Sequence, residues 1–109
     1  INLNPTKGSE QKGKRPCVII QTNAVSDYGL TTIIAPLTSK NTNRIYSFEA
    51  IVKPSRQNGL KEISKIKLNQ VRVIDKSRLI NKLGRIEKRY YHDIQIALKV
   101  IFDFNEDFI

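Results

Sequence analysis

Leu30–Leu37 reads LTTIIAPL, and Thr31, Thr32, Ile33 and Ile34 within it all branch at Cβ. Such side chains favour extended backbone over helix, so the stretch reads as a strand. Its nearest partner is Cys17–Gln21, CVIIQ, a short apolar run, with the polar turn Asn23–Gly29 between them. The two predict an antiparallel pair. Further along, Tyr46, Phe48 and Ala50 alternate with Ile45, Ser47 and Glu49 over Ile45–Val52. Ile63–Leu68, ISKIKL, is read with period two as a half-buried strand. Val71, Val73 and Ile74 extend the β character, and Leu79–Ile86 is expected to add a last strand. Polar breaks fall at Ser39–Arg44 and Pro54–Gly59. Only the C-terminus has helical spacing: Tyr91, Ile94, Ala97 or Leu98, Ile101 and Phe102 recur on one face of a helix predicted over Lys88–Phe102. Many short strands before one terminal helix predict a mainly β protein, a strongly curved sheet or small barrel.

Upstream of the first strand pair lies Asn4–Lys14, polar and punctuated by glycine, ending at Arg15-Pro16. It is long for a connection in a small domain, and such loops are commonly functional. Proline pushes Arg15 towards extended backbone and is itself tolerated at the first position of a strand. Ile1–Leu3 reads as the tail of a strand whose beginning is missing. With 109 residues, the chain is expected to form one domain over 1–109. A single cysteine, Cys17, allows no internal disulfide, which fits a reducing, cytoplasmic setting. One Cys and one His supply too few soft ligands for zinc. No apolar run reaches the roughly 18 residues of a membrane span. The formal net charge of +9 points to an anionic partner, nucleic acid before membrane, although solubility alone also accounts for charge.

Three segments carry a family resemblance. Asn4–Pro16, NPTKGSEQKGKRP, resembles the loop between the first two strands of the MazF/PemK/Kid toxins. Ala35–Ser39, APLTS, is similar to the end of their third strand, and Leu68–Leu79, LNQVRVIDKSRL, to their second recurring motif. The resemblance implies an SH3-like β-barrel with short helices, whose first strand begins several residues before Ile1, and a homodimer. It also implies a metal-independent, cofactor-free endoribonuclease acting on single-stranded RNA. In that family the RNA 2′-hydroxyl is the nucleophile, the products are a 2′,3′-cyclic phosphate and a 5′-hydroxyl, and a disordered antitoxin tail folds over the active groove. A neighbouring class with the same fold, the CcdB type, binds DNA gyrase through the tip of its C-terminal helix, typically with a tryptophan. This chain has no Trp and ends NEDFI, so that alternative stands second.

On this resemblance, Arg15 and Thr38 match the catalytic positions. A guanidinium can fork onto the oxygens of a phosphate that is becoming five-coordinate, and a hydroxyl can donate to a phosphate oxygen or to the leaving oxygen. Taken without the motif, Arg15 is a surface arginine of a basic protein and Thr38 an ordinary strand residue. Ser9, Glu10, Gln11, Lys14, Ser39, Asn69 and Gln70 make up the implied RNA-binding set. Glu10 would accept from a base or tether the loop to Lys14 or Arg15. Asn69 and Gln70 would read base edges, or simply build a turn. Lys7, Lys12, Lys14 and Lys40 read as charge that tracks the RNA backbone. Members resembling Kid use a loop histidine, a basic strand residue and an acid. Here the matching positions are Ser9, Lys67 and Asn69, so that proton scheme does not transfer. His92, the only imidazole, falls on the predicted helix and reads as a surface residue. Tyr90, Tyr91, Phe102, Phe104 and Phe108 read as core or dimer contacts. Cys17 reads as a small hydrophobe.

Overall fold

The computed structural model describes residues 1, 14–22 and 28–103. Among the described residues, five strands, β1 (Cys17–Ile19), β2 (Thr31–Thr38), β3 (Glu49–Val52), β4 (Ser64–Lys67) and β5 (Arg72–Asp75), precede one α-helix, α1 (Tyr91–Ile101). Single 3₁₀ turns occupy Leu68–Gln70, Lys76–Arg78 and Lys88–Tyr90. The mainly β class with a C-terminal helix is as expected. Among the described residues, however, the sheet stays open, so the expected barrel is an incompletely closed sheet.

β2 organises everything else. Cys17 lies opposite Pro36 and Ile19 opposite Ile34 on one edge. On the other edge Thr31–Ile34 pairs with β5 and Leu37–Thr38 pairs with β4. One edge is thus shared by two strands, and Pro36 falls between them. Residues 33, 35 and 37 direct their backbone groups towards β1, so position 36 faces the shared edge. A proline there interrupts no pairing, because position 36 falls between the stretch paired with β5 and the stretch paired with β4. β3 completes the sheet beyond β4, with Glu49 opposite Lys67 and Ile51 opposite Lys65.

The two faces of the sheet differ sharply. Ala35, Leu37, Ala50, Val52, Ile66 and Leu68 line one face and pack against Tyr90, Ile94 and Ala97. Burying each larger aliphatic chain there contributes roughly 1.5–3 kcal/mol. The Tyr90 hydroxyl accepts the Lys53 N–H at 3.1 Å, so the one polar atom of that side chain is satisfied. The other face carries a small cluster, Ile34 and Ile74 with Ile1, Cys17 and Leu79 against them. Burial pushes the Cys17 thiol above its ordinary pKa, in keeping with its role as a hydrophobe.

Several expectations need correction. Ile45–Phe48 is not strand: the Glu49 carboxylate accepts the Tyr46 N–H at 3.1 Å and the Glu49 N–H donates to the Tyr46 carbonyl at 2.9 Å, closing a turn. β4 is not half-exposed; Ser64, Lys65 and Ile66 are all buried. Leu79–Ile86 forms no strand. Instead it crosses the 55–59 turn so closely that a Cβ on Gly84 would collide with the Gln57 carbonyl, while the Arg85 N–H bonds that same carbonyl at 2.8 Å. Asn58 locks the crossing, accepting from the Ser55 and Leu60 N–H groups and donating to the Lys53 carbonyl and to Glu87. At the helix, Lys88–Tyr90 is a 3₁₀ turn, and the buried stripe starts at Tyr90. Tyr91 and Phe102 are exposed. Phe104 and Phe108 lie outside the described residues.

Candidate active site

Pairing of β1 with β2 continues past Cys17. The Leu37 N–H donates to the Pro16 carbonyl at 3.0 Å, so the same register brings Arg15 opposite Thr38. This is a non-hydrogen-bonded position of the ladder, where facing side chains lie closest. On its outer side Arg15 exchanges two backbone hydrogen bonds with Ile1, at 2.7 and 2.9 Å. Thr38 lies opposite Lys65 on β4. Arg15, Thr38 and Lys65 therefore form a row across three adjacent strands, on the face that α1 does not cover.

Thr38 ends β2 and is 6 % exposed. Its Oγ1 accepts the Lys40 N–H at 3.2 Å, which orients the hydroxyl and leaves its own hydrogen to donate. Asn41 follows in the left-handed region (φ 55°), a conformation that asparagine tolerates and that turns the chain back.

Lys65 was invisible as a site residue in the sequence. Its ammonium lies 3.1 Å from Glu49 Oε1, with side chains only 5 % and 2 % exposed, and donates to the Arg44 carbonyl at 3.2 Å. Glu49 in turn accepts the Tyr46 N–H. Buried charges persist when paired and hydrogen-bonded, and both conditions hold here. The available signal was two lysines at i, i+2 in β4, with a lone glutamate in the facing strand. Above the pair sits Tyr46, its ring centroid 5.7 Å from Lys65 Nζ and 4.9 Å from the Arg44 guanidinium carbon.

The remaining candidates distribute unevenly. Lys14 and Ser39 are exposed and flank Arg15 and Thr38 in the chain. Asn69 is exposed and Gln70 half-buried; both belong to the 3₁₀ turn bridging β4 and β5, beside the Pro36 gap and close along β2 to Thr38. Lys67 is half-buried opposite Glu49, but Lys65 is the lysine that pairs with it. Ser9, Glu10 and Gln11, with Lys7 and Lys12, lie outside the described residues. His92 is exposed on α1, across the sheet from the row. Among the described residues no three His, Cys, Asp or Glu side chains converge as a metal-holding group. No helix among them is long and apolar enough to cross a membrane.

Comparison with known proteins places the chain among relatives of one family. A family profile described as "PemK-like, MazF-like toxin of type II toxin-antitoxin system" matches residues 1–102. An endoribonuclease MazF from Staphylococcus saprophyticus is 35 % identical over 100 residues, covering 91 % of this chain and 82 % of the relative. Among solved structures, the Mycobacterium tuberculosis toxin MazF-mt6 superposes with a TM-score of 0.75 at 21 % identity, covering 88 % of this chain and 93 % of that one. A mycobacterial endoribonuclease in complex with its cognate antitoxin superposes with a TM-score of 0.72 at 19 % identity, covering 85 % and 86 %.

Proposed function

The chain belongs to the PemK-like, MazF-like family of type II toxins, and from that premise we propose that it is an endoribonuclease cutting single-stranded RNA at the Arg15–Thr38 row. The observation that supports this reading best is the placing of Arg15 opposite Thr38 on the uncovered face of the sheet.

The 2′-oxygen of one nucleotide attacks its own 3′-phosphorus, and the bond from phosphorus to the next nucleotide's 5′-oxygen breaks. The products are a 2′,3′-cyclic phosphate and a 5′-hydroxyl. Charge accumulates on the non-bridging oxygens as phosphorus becomes five-coordinate. Arg15 supplies a forked, permanently charged donor to those oxygens. Thr38, with its acceptor side engaged by Lys40, donates its hydroxyl hydrogen to a phosphate oxygen or to the departing 5′-oxygen. Lys14 and Lys40, both exposed, attract the RNA backbone without choosing its sequence. Ser39, Asn69 and Gln70 flank the row as the base-contacting set, with Ser9, Glu10 and Gln11 of the preceding loop.

The active form is a cytoplasmic homodimer, and its partner is an antitoxin whose disordered tail lies along the same basic groove. The mycobacterial relative solved with its cognate antitoxin supports that partner. The gyrase-binding alternative is not favoured by the family match.

Incubation with long single-stranded RNA in EDTA, followed by sequencing of the new 5′-ends, tests the proposal. Expected are discrete cuts bearing 5′-hydroxyls that Arg15→Ala slows by about 10²–10³. Intact RNA, or cutting that Arg15→Ala leaves unchanged, refutes it.

A further inference from the structure

Why charge is buried beside Thr38 needs an explanation, because a buried ion pair is on average no more stabilising than well-packed apolar residues of similar volume. The geometry of Lys65 and Glu49 supplies one. Beyond each other, both bond to the backbone of one loop: Lys65 Nζ donates to the Arg44 carbonyl at 3.2 Å, and Glu49 Oε1 accepts the Tyr46 N–H at 3.1 Å. The pair therefore fixes the backbone of residues 44–46 against the strand position directly opposite Thr38.

What that backbone presents is a layered platform. Tyr46 stacks on Phe48 with ring planes parallel and centroids 5.4 Å apart. The Arg44 guanidinium lies over the Tyr46 ring at 4.9 Å. Tyr46 remains 44 % exposed and Arg44 is exposed, although a tyrosine so close to a core could have been buried. A flat cation on an aromatic ring is a surface on which unpaired bases stack, since every base has a π-face and guanidinium planes and aromatic rings both receive it.

We propose that Arg44 and Tyr46 form a base-stacking subsite for the nucleotide next to the cut, with Lys65 and Glu49 as its positioning residues. The subsite rests on the ribonuclease reading above. It acts in holding RNA rather than in the bond-making step, so its loss falls on KM. Stacking on one side chain changes affinity by about 10-fold or more per base.

The test uses the full chain and an RNA oligonucleotide centred on a cut mapped with the unsubstituted protein. A second copy carries deoxyribose at the cut, so that it binds uncleaved, and 2-aminopurine on either side. Expected are quenching of one 2-aminopurine on binding, a KM raised about 10-fold by Arg44→Ala and by Tyr46→Ala, and an unchanged kcat. Tyr46→Phe keeps the ring and should retain both the quenching and the KM. Glu49→Leu combined with Lys65→Met removes both charges together, so it should fold and show the same KM rise. If the unsubstituted protein cuts no RNA, the ribonuclease reading falls and the subsite with it. If it cuts RNA but neither 2-aminopurine is quenched, or Arg44→Ala and Tyr46→Ala leave KM unchanged, the subsite alone is overturned.

Discussion

The helix side of the sheet and the Thr38 end of its far face, beyond the small Ile34–Ile74 cluster, are built by different rules. On the helix side, Leu37, Val52, Ile66 and Leu68 are buried against Ile94 and Ala97, and almost any set of similar apolar volumes would serve. On the opposite side, Thr38, Glu49 and Lys65 are just as buried, yet each is polar, and each has a specific hydrogen-bond partner. Burial alone thus separates nothing. Apolar burial holds the molecule together, whereas polar burial on the far face fixes directions: where the Thr38 hydroxyl points and where the 44–46 backbone runs.

The sharpest break of this contrast is Lys65→Met alone. It strands the Glu49 carboxylate in a buried site, so stability should fall by about 3–5 kcal/mol, read by urea unfolding, although the change is from charged to apolar. A near-neutral result would mean that the far face tolerates volume swaps as the helix side does. Next comes Arg15→Ala, which should lower kcat by about 10²–10³, equivalent to about 3–4 kcal/mol of barrier, with a circular dichroism spectrum and melting temperature close to the unsubstituted protein. On the helix side, Ile66→Val should cost about 0.5–1.5 kcal/mol in the same unfolding experiment and leave kcat and KM alone. If Ile66→Val altered catalysis, the two faces would be coupled through β4.

The smallest effect is an acid one, away from both faces. Hydrogen bonds from Ser77, including its N–H at 2.8 Å, hold the Asp75 carboxyl below its ordinary pKa. A depressed carboxylate contributes stability above its unfolded pKa and loses it as pH falls through the folded value. Asp75→Asn should therefore lose a little stability at neutral pH and flatten the acid limb of the melting-temperature profile, converging with the parent once the pH has fallen through the folded-state value.

Much of the helix side was legible in the residue order. Branched residues in LTTIIAPL marked β2, and the spacing of Ile94, Ala97 and Ile101 marked α1, because apolar periodicity is what a covered face requires. The stripe slipped at its ends, to Tyr90 from Tyr91, because a 3₁₀ turn before the helix shifts the phase. The expected strand over Leu79–Ile86 failed because the segment packs against the 55–59 turn, where the Arg85 N–H bonds the Gln57 carbonyl, a long-range contact with no local signature. On the far face, Arg15 and Thr38 are proposed from family resemblance alone, since neither has a periodic pattern to mark it. Lys65 and Glu49 escaped both routes: a lysine in a short strand reads as solvated until the facing carboxylate is known.

Pro36 bears on how reliably the far face is assembled. Lacking an N–H, it denies β4 and β5 any continuous run along their shared edge of β2, so neither strand can slide past it without leaving the ladder. It acts as a register stop. A slip of β4 by one residue would turn Lys65 to the helix side and bring Ser64 or Ile66 opposite Thr38, and with it the loop that carries Tyr46 would lose its moorings. A single imino acid in the central strand thereby guards the alignment of the Arg15, Thr38 and Lys65 row, to which it contributes no polar group.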